Sequence, residues 1–119
     1  MKIAVTSKGT GLDAQVDPHF GRAAYIIIVN PESLEFDVID NSENANAFKG
    51  AGIQAASMVS GKGVEVLLTG SCGPNAFKAL NAAKIKVAGD VSGIVRDAIK
   101  LFTEGKLSFT DKANAEGPS

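Results

Sequence analysis

Val64-Glu65-Val66-Leu67-Leu68-Thr69-Gly70-Ser71-Cys72-Gly73-Pro74-Asn75-Ala76-Phe77-Lys78-Ala79-Leu80 runs from an apolar, β-branched stretch through a glycine-bounded turn into a helical pattern. The apolar stretch is strand-sized, and Pro74 suits the first position of a helix, where the N–H it lacks would have no partner anyway. Ile85-Lys86-Val87-Ala88 resumes the strand pattern, so residues 64–69, 74–83 and 85–88 spell strand, helix, strand. A crossover of this kind makes a parallel pair and is right-handed. A last helix is predicted over 92–104. Val95, Ala98, Ile99 and Phe102 recur there at i, i+3, i+4 and i+7, and Gly105 closes it.

Upstream of this unit the pattern is β only. Residues 2–7 read as a buried first strand stopped by Lys8-Gly9-Thr10-Gly11, and Tyr25-Ile26-Ile27-Ile28-Val29 as a second. A turn at Asn30-Pro31-Glu32-Ser33 leads to residues 34–39, which nearly alternate and so predict an edge strand with one wetter face, antiparallel to the second. Gly50-Ala51-Gly52 opens an Ala-rich helix with Ile53, Ala56 and Ser60 on one face and Val59 beside it. The order β-β-β-α-β-α-β-α predicts an α/β, three-layer fold. Its five-stranded mixed sheet has strand order 3-2-1-4-5 with strand 2 antiparallel. Strands 1 and 4 are then neighbours whose next connections leave to opposite sides, and such a switch point opens a crevice at the carboxyl ends of the strands. Residues 7–22, 41–52, 70–75 and 89–92 meet on that edge. The stretch 8–22 shows neither period and little apolar content, which predicts a mobile loop in the empty protein. Residues 1–105 are expected to form a single domain and 106–119 a loosely ordered tail.

Composition narrows the function. The chain has 119 residues, 45% of them apolar, with 12 Lys plus Arg against 13 Asp plus Glu for a net charge of −1. That is one globular domain, and its charge balance does not suit neutralising many phosphates, so nucleic acid is not an expected partner. One Cys and one His cannot close an intramolecular disulfide or supply the four side-chain ligands of a structural zinc site or an iron–sulfur cluster. The N-terminal residues lack the apolar stretch of a secretory signal, and the longest apolar run, Ala23 to Val29, is too short to span a bilayer. A cytoplasmic monomer with no membrane partner is expected.

Several motifs lie on the crevice. Gly70-Ser71-Cys72-Gly73-Pro74-Asn75 would aim free N–H groups and a positive helix end into it, which suits an anion; alternatively the glycines only make a tight turn. No Gly-Lys-Ser/Thr follows, so it is not a Walker A loop. Gly9-Thr10-Gly11-Leu12-Asp13-Ala14 nominally matches a dinucleotide fingerprint, but Asp17-Pro18 cuts off the helix that fingerprint needs. Cys72, at a helix start, is open to reading as a dipole-activated nucleophile or a soft-metal contact, and His19 as a base, a metal ligand or a packed loop residue. The first strand lacks the acid that a metal-dependent nuclease would place there. Ser7, Lys8, Arg22, Lys49, Ser71 and Asn75, beside Phe20, Phe48 and Pro74, suggest a pocket half basic and half apolar.

Asp17-Pro18-His19-Phe20-Gly21-Arg22 after the first strand, the helix start at Gly50-Ala51-Gly52, and Leu67-Leu68-Thr69-Gly70 through Gly73-Pro74-Asn75-Ala76-Phe77 to Leu80, Ile85 and Val87 together resemble the dinitrogenase iron-molybdenum cofactor biosynthesis family. The likeness spans roughly residues 1–105 and is nearest to the family's small stand-alone members. It implies a ribonuclease-H-like fold without nuclease activity and a non-enzymatic protein that binds or carries a molybdenum-containing sulfide cluster. The cluster would be of molybdenum–copper type or an iron-molybdenum cofactor precursor, anionic and held mainly without covalent attachment. A protein that donates or accepts the cluster is the implied partner. His19 and Arg22 would line the crevice by the family-like loop, and Gly70, Ser71, Cys72, Gly73 and Asn75 by the family-like helix start. Ser7, Lys8, Lys49 and Gly50 follow from position alone, with Cys72 and His19 the candidate metal contacts. A phosphate- or nucleotide-binding module using the same helix ends is the alternative, and a Cys72 thiol enzyme a third reading.

Overall fold

The computed structural model describes residues 1–46 and 50–113. Five strands, β1 (Ile3–Ser7), β2 (Tyr25–Val29), β3 (Phe36–Asp40), β4 (Val66–Leu68) and β5 (Lys86–Ala88), form one sheet in the order β3-β2-β1-β4-β5. β2 is antiparallel to both β1 and β3, whereas β1, β4 and β5 are mutually parallel, as the element order predicts. The helices are α1 (Ser42–Ala45), α2 (Ala51–Gly61), α3 (Pro74–Ala82) and α4 (Val95–Thr103).

Alternate sheet side chains feed two cores. Ala4, Ile26, Ile28, Leu67 and Val87 pack with Ala55, Ala56 and Val59 of α2 and with Ala76 and Leu80 of α3. On the opposite face Ile3, Val5, Ile27, Val29 and Leu68 pack with Val95, Ala98 and Ile99 of α4. Burial on both faces explains why β1, β2 and β4 are continuous apolar runs.

Four local expectations are corrected. The buried face of α2 is Ala51, Gly52, Ala55, Ala56 and Val59, not Ile53 and Ser60; Ile53 is 47% exposed, while the close approach is at Gly52, which abuts Gly21. β3 is exposed on both faces apart from Ile39, since it projects past the helices that cover the rest of the sheet. α4 starts at Val95 because Gly93 takes a φ of 89° and Ile94 is extended. The loop over 8–22 is well anchored: Leu12, Val16 and Phe20 are buried, and Val16 N–H donates to Gly93 O at 2.8 Å and Phe20 N–H to Ser71 O at 3.0 Å. Its apolar residues are spaced for neither helix nor strand, so they carry no periodic signal.

This loop passes over the end of the sheet. Leu12 and Val16 belong to the α4-side core and Phe20 to the opposite one, with the crossing at Asp17, whose N–H donates to Thr6 O at 2.9 Å while Thr6 Oγ1 donates to Asp17 O at 2.7 Å. Beyond α4, Thr110 N–H donates to Val87 O at 2.8 Å; residues 114–119 of the expected tail lie outside the described residues.

Two glycines let the crossing close. A Cβ on Gly70 would sit 2.7 Å from Pro18 Cα and O, and one on Gly21 would sit 2.7 Å from Gly52 N. Because both clashes are with backbone, Gly70→Ala and Gly21→Ala should each destabilise the protein by at least about 2 kcal/mol in urea unfolding. Gly61→Ala, where an added methyl meets nothing within 4 Å, should instead be neutral or stabilising by up to about 1 kcal/mol.

Candidate functional site

The Asp17-to-Arg22 segment binds the predicted edge loops to one another. His19 Nδ1 is 3.1 Å from Ser71 Oγ, and the Ser71 N–H donates to Pro18 O at 2.6 Å. Gly21 abuts Gly52 at the start of α2, and Arg22 Nη1 donates to Ala45 O at 2.8 Å at the end of α1. From the other side, Asp90 N–H donates to Gly70 O at 2.7 Å. Residues from all four stretches 7–22, 41–52, 70–75 and 89–92 therefore meet at the carboxyl edge of the sheet.

Besides the single turn of α1, the three longer helices begin there, and they differ in how their first N–H groups are used. At α4, Val95 N–H donates to Ala14 O at 2.9 Å and Arg96 N–H to Leu12 O at 2.8 Å, so the loop itself closes that helix end. α2 and α3 are preceded by Gly50, in the left-handed region at φ 77°, and Gly73; neither end has a side-chain cap or an acidic residue in its first turn. The first intrahelical bonds are Gln54 N–H to Gly50 O and Phe77 N–H to Gly73 O, both 2.9 Å, so the N–H groups of Ala51, Gly52, Ile53, Asn75 and Ala76 come before them. Such ends carry partial positive charge and orphan donors.

His19, Arg22 and Asn75 are exposed at this edge. Lys8 is exposed where the loop leaves β1, its N–H donating to Gln15 O at 2.9 Å. Ser7 is buried, and its hydroxyl is folded back onto its own loop, donating to Gly9 O at 2.7 Å. Cys72 is 1% exposed among Phe20, Ala76 and Leu80; burial pushes its thiol up from 9.0 to about 12. Burial therefore keeps the thiol protonated at neutral pH, which speaks against reading it as an activated nucleophile. Lys49 and Phe48 lie outside the described residues. Among the described residues, no group of three or more His, Cys, Asp or Glu is placed to hold a metal ion.

Sequence reasoning missed the residues that hold this edge in shape. Thr6 and Thr69, both buried, face each other at 2.9 Å across β1 and β4; because the Thr6 proton goes to Asp17 O, Thr69 donates to Thr6. The Asp17 carboxylate accepts from His19 N–H at 3.2 Å and Ala24 N–H at 3.3 Å. Asn41, also buried, donates from Nδ2 to Gly21 O and Ala23 O at 3.3 and 2.9 Å. A polar residue at a strand end reads as surface until the segment that folds over it is known.

A mixed sheet covered by helices on both faces, with a loop crossing its switch point past two helix starts that carry no side-chain cap, defines a small three-layer α/β protein. The chain belongs to the dinitrogenase iron-molybdenum cofactor family, whose model matches residues 1–105. Its structure is similar to that of the apo form of the orange protein from Desulfovibrio gigas, with 43% identity, 96% of each chain covered and a TM-score of 0.92. It is also similar to a Thermotoga protein provisionally assigned as NifB and placed in the DUF35 family, at 37% identity, 98% of each chain and a TM-score of 0.83. An uncharacterized protein of Methanocaldococcus jannaschii is 33% identical over 110 residues, which is 90% of this chain and 89% of that one.

The raised Cys72 pKa has a sign that can be tested. Below 9.0 the thiol is protonated whether the chain is folded or not; as pH rises from 9.0 toward about 12 only the unfolded chain ionises, so the stability tied to the buried thiol is lost. The stability difference between wild type and Cys72→Ala should stay constant up to about pH 9 and narrow above it, measured by urea unfolding at neutral pH and about one unit above 9.0.

Proposed function

We propose that this chain binds and carries an anionic molybdenum-containing sulfide cluster at the carboxyl edge of its sheet. The cluster is of molybdenum–copper type or an iron-molybdenum cofactor precursor, it is held mainly by non-covalent contacts, and the protein acts as a carrier rather than an enzyme. The observation that carries the reading is the pair of helix starts at Gly50 and Gly73, neither capped by a side chain nor faced by an acid of its own first turn. Backbone N–H groups there suit a bulky anion with many weak acceptor atoms. Arg22 adds positive charge, and His19 offers a ring nitrogen to a metal at the cluster edge.

Membership of the cofactor family and likeness to a protein whose known structure is an apo form favour this cargo over a nucleotide. The fold is read as a ribonuclease-H-like variant serving as a scaffold, working as a cytoplasmic monomer that receives its cluster from, or passes it to, another protein. No helix among the described residues is long and apolar enough to cross a membrane. Ser7 and Cys72 act in this reading as parts of the frame, with Lys8, Gly50, Gly70, Ser71, Gly73 and Asn75 lining the approach. Lys49 would add a further charge.

Tetrathiomolybdate with Cu(I), titrated into the apoprotein and followed by visible absorption, should give saturable binding that weakens with salt. His19→Gln and Arg22→Gln should each weaken it by about 10-fold, the scale of one charge-assisted contact, whereas Cys72→Ser should lower affinity only in part. Thermal stabilisation by ATP or inorganic phosphate, with none from the thiomolybdate–copper mixture, would establish the phosphate-binding alternative instead.

A further inference from the structure

Ser71 holds two contacts that one hydroxyl proton must serve. Its Oγ is 2.9 Å from Pro18 O and 3.1 Å from His19 Nδ1. The carbonyl can only accept, so the Ser71 proton goes to Pro18 O, and the proton between Ser71 and His19 must come from Nδ1. A neutral imidazole carries one N–H. We propose that Ser71 is a positioning residue that locks neutral His19 in its Nδ1–H tautomer, so that Nε2 meets the cargo as a lone-pair ligand for a soft metal, not as a hydrogen-bond donor to sulfide or phosphate.

The backbone fixes both partners independently of the side-chain contact. Ser71 N–H donates to the same Pro18 O at 2.6 Å and Phe20 N–H to Ser71 O at 3.0 Å, so Pro18, His19 and Phe20 form a short parallel bridge with Ser71. Gly70 permits it, since any side chain there would collide with Pro18. The Asp17 carboxylate, the nearest acid in sequence, is engaged by the N–H groups of His19 and Ala24, and among the described residues Ser71 supplies the side-chain hydrogen bond to the ring. Histidine free in water prefers the opposite, Nε2–H, tautomer, so the expected state differs from the unconstrained one. A ring nitrogen made a ligand by a hydrogen bond at the other nitrogen is the general way metal-binding imidazoles are set.

The tautomer needs no cargo, whereas its use rests on the proposed function. His19 is the chain's one histidine, so long-range proton–nitrogen correlation on uniformly 15N-labelled apoprotein, followed over a pH series, reads its two ring nitrogens without ambiguity. Wild type should show a protonated Nδ1 and an unprotonated Nε2. Ser71→Ala should shift the population toward Nε2–H, and Ser71→Thr, which keeps the hydroxyl, should restore the wild-type pattern. A wild-type ring mainly in the Nε2–H form, or one unchanged in Ser71→Ala, would overturn the proposal.

Two probes then separate the metal contact from the cargo assignment. Cu(I) with tetrathiomolybdate should move the Nε2 shift while Nδ1 stays protonated, and Ser71→Ala should bind this mixture about 10-fold more weakly while its affinity for tetrathiomolybdate alone falls by a clearly smaller factor. Equal weakening toward both probes, or an unmoved Nε2 in a saturated complex, would refute the ligand role. No binding of either probe with the tautomer confirmed would instead defeat the cargo assignment and leave Ser71's control of the ring standing.

Discussion

Pro18 lies against Gly70 so closely that not even a methyl group fits between the two segments, and the shape of the carboxyl edge depends on that contact. It holds the loop after β1 over the gap between β1 and β4, where the chain's connections diverge to opposite faces. Thr6 and Thr69 support the crossing from below through a buried hydroxyl pair, and Gly21 against Gly52 extends it to α2. Backbone approach at this range forfeits side chains on one partner, which is why glycine stands at Gly70 and Gly21. In return, the edge loops are joined by backbone hydrogen bonds at close range, Ser71 N–H to Pro18 O and Phe20 N–H to Ser71 O.

That crossing also decides which helix ends remain available. The loop's first half gives its Leu12 and Ala14 carbonyls to α4, so one positive end is neutralised by backbone. Its second half passes the starts of α2 and α3 while supplying them no side-chain cap, and it brings His19 and Arg22 to the same place. A single segment thus closes one helix end and equips two others. Cys72, although in the turn that opens α3, belongs to the core beneath and stays protonated at neutral pH; its thiol contributes packing, while the surface of the turn is left to backbone and to Ser71.

The strand order was legible because periodicity and crossover handedness constrain topology strongly: continuous apolar runs at Ile3 and Ile26 and the helical stripe from Val95 to Phe102 leave few arrangements. The face of α2 was not legible, since alanines distribute apolarity around the whole helix and Ile53 misdirects the reading toward a surface that faces solvent. The anchoring of residues 8–22 was hidden for a related reason. Leu12, Val16 and Phe20 are buried in two different cores, so their spacing follows the path of the chain and matches no regular element.

By itself, then, the sequence determined the layers, the order of the strands and the edge on which His19, Arg22 and the glycine-rich helix starts would fall, because those follow from local pattern and the geometry of short connections. Only the tertiary structure decided how each candidate side chain is used. It turned Cys72 inward, folded Ser7 onto Gly9, and set the Ser71 hydroxyl between Pro18 and His19. It also recruited Thr6, Thr69 and Asn41, to which the sequence alone assigned no role. A strand end and a turn are local, but burial and proton ownership belong to whatever segment folds across them. For the turn that opens α3 that segment is distant in the chain, His19 and Ser71 lying 52 residues apart.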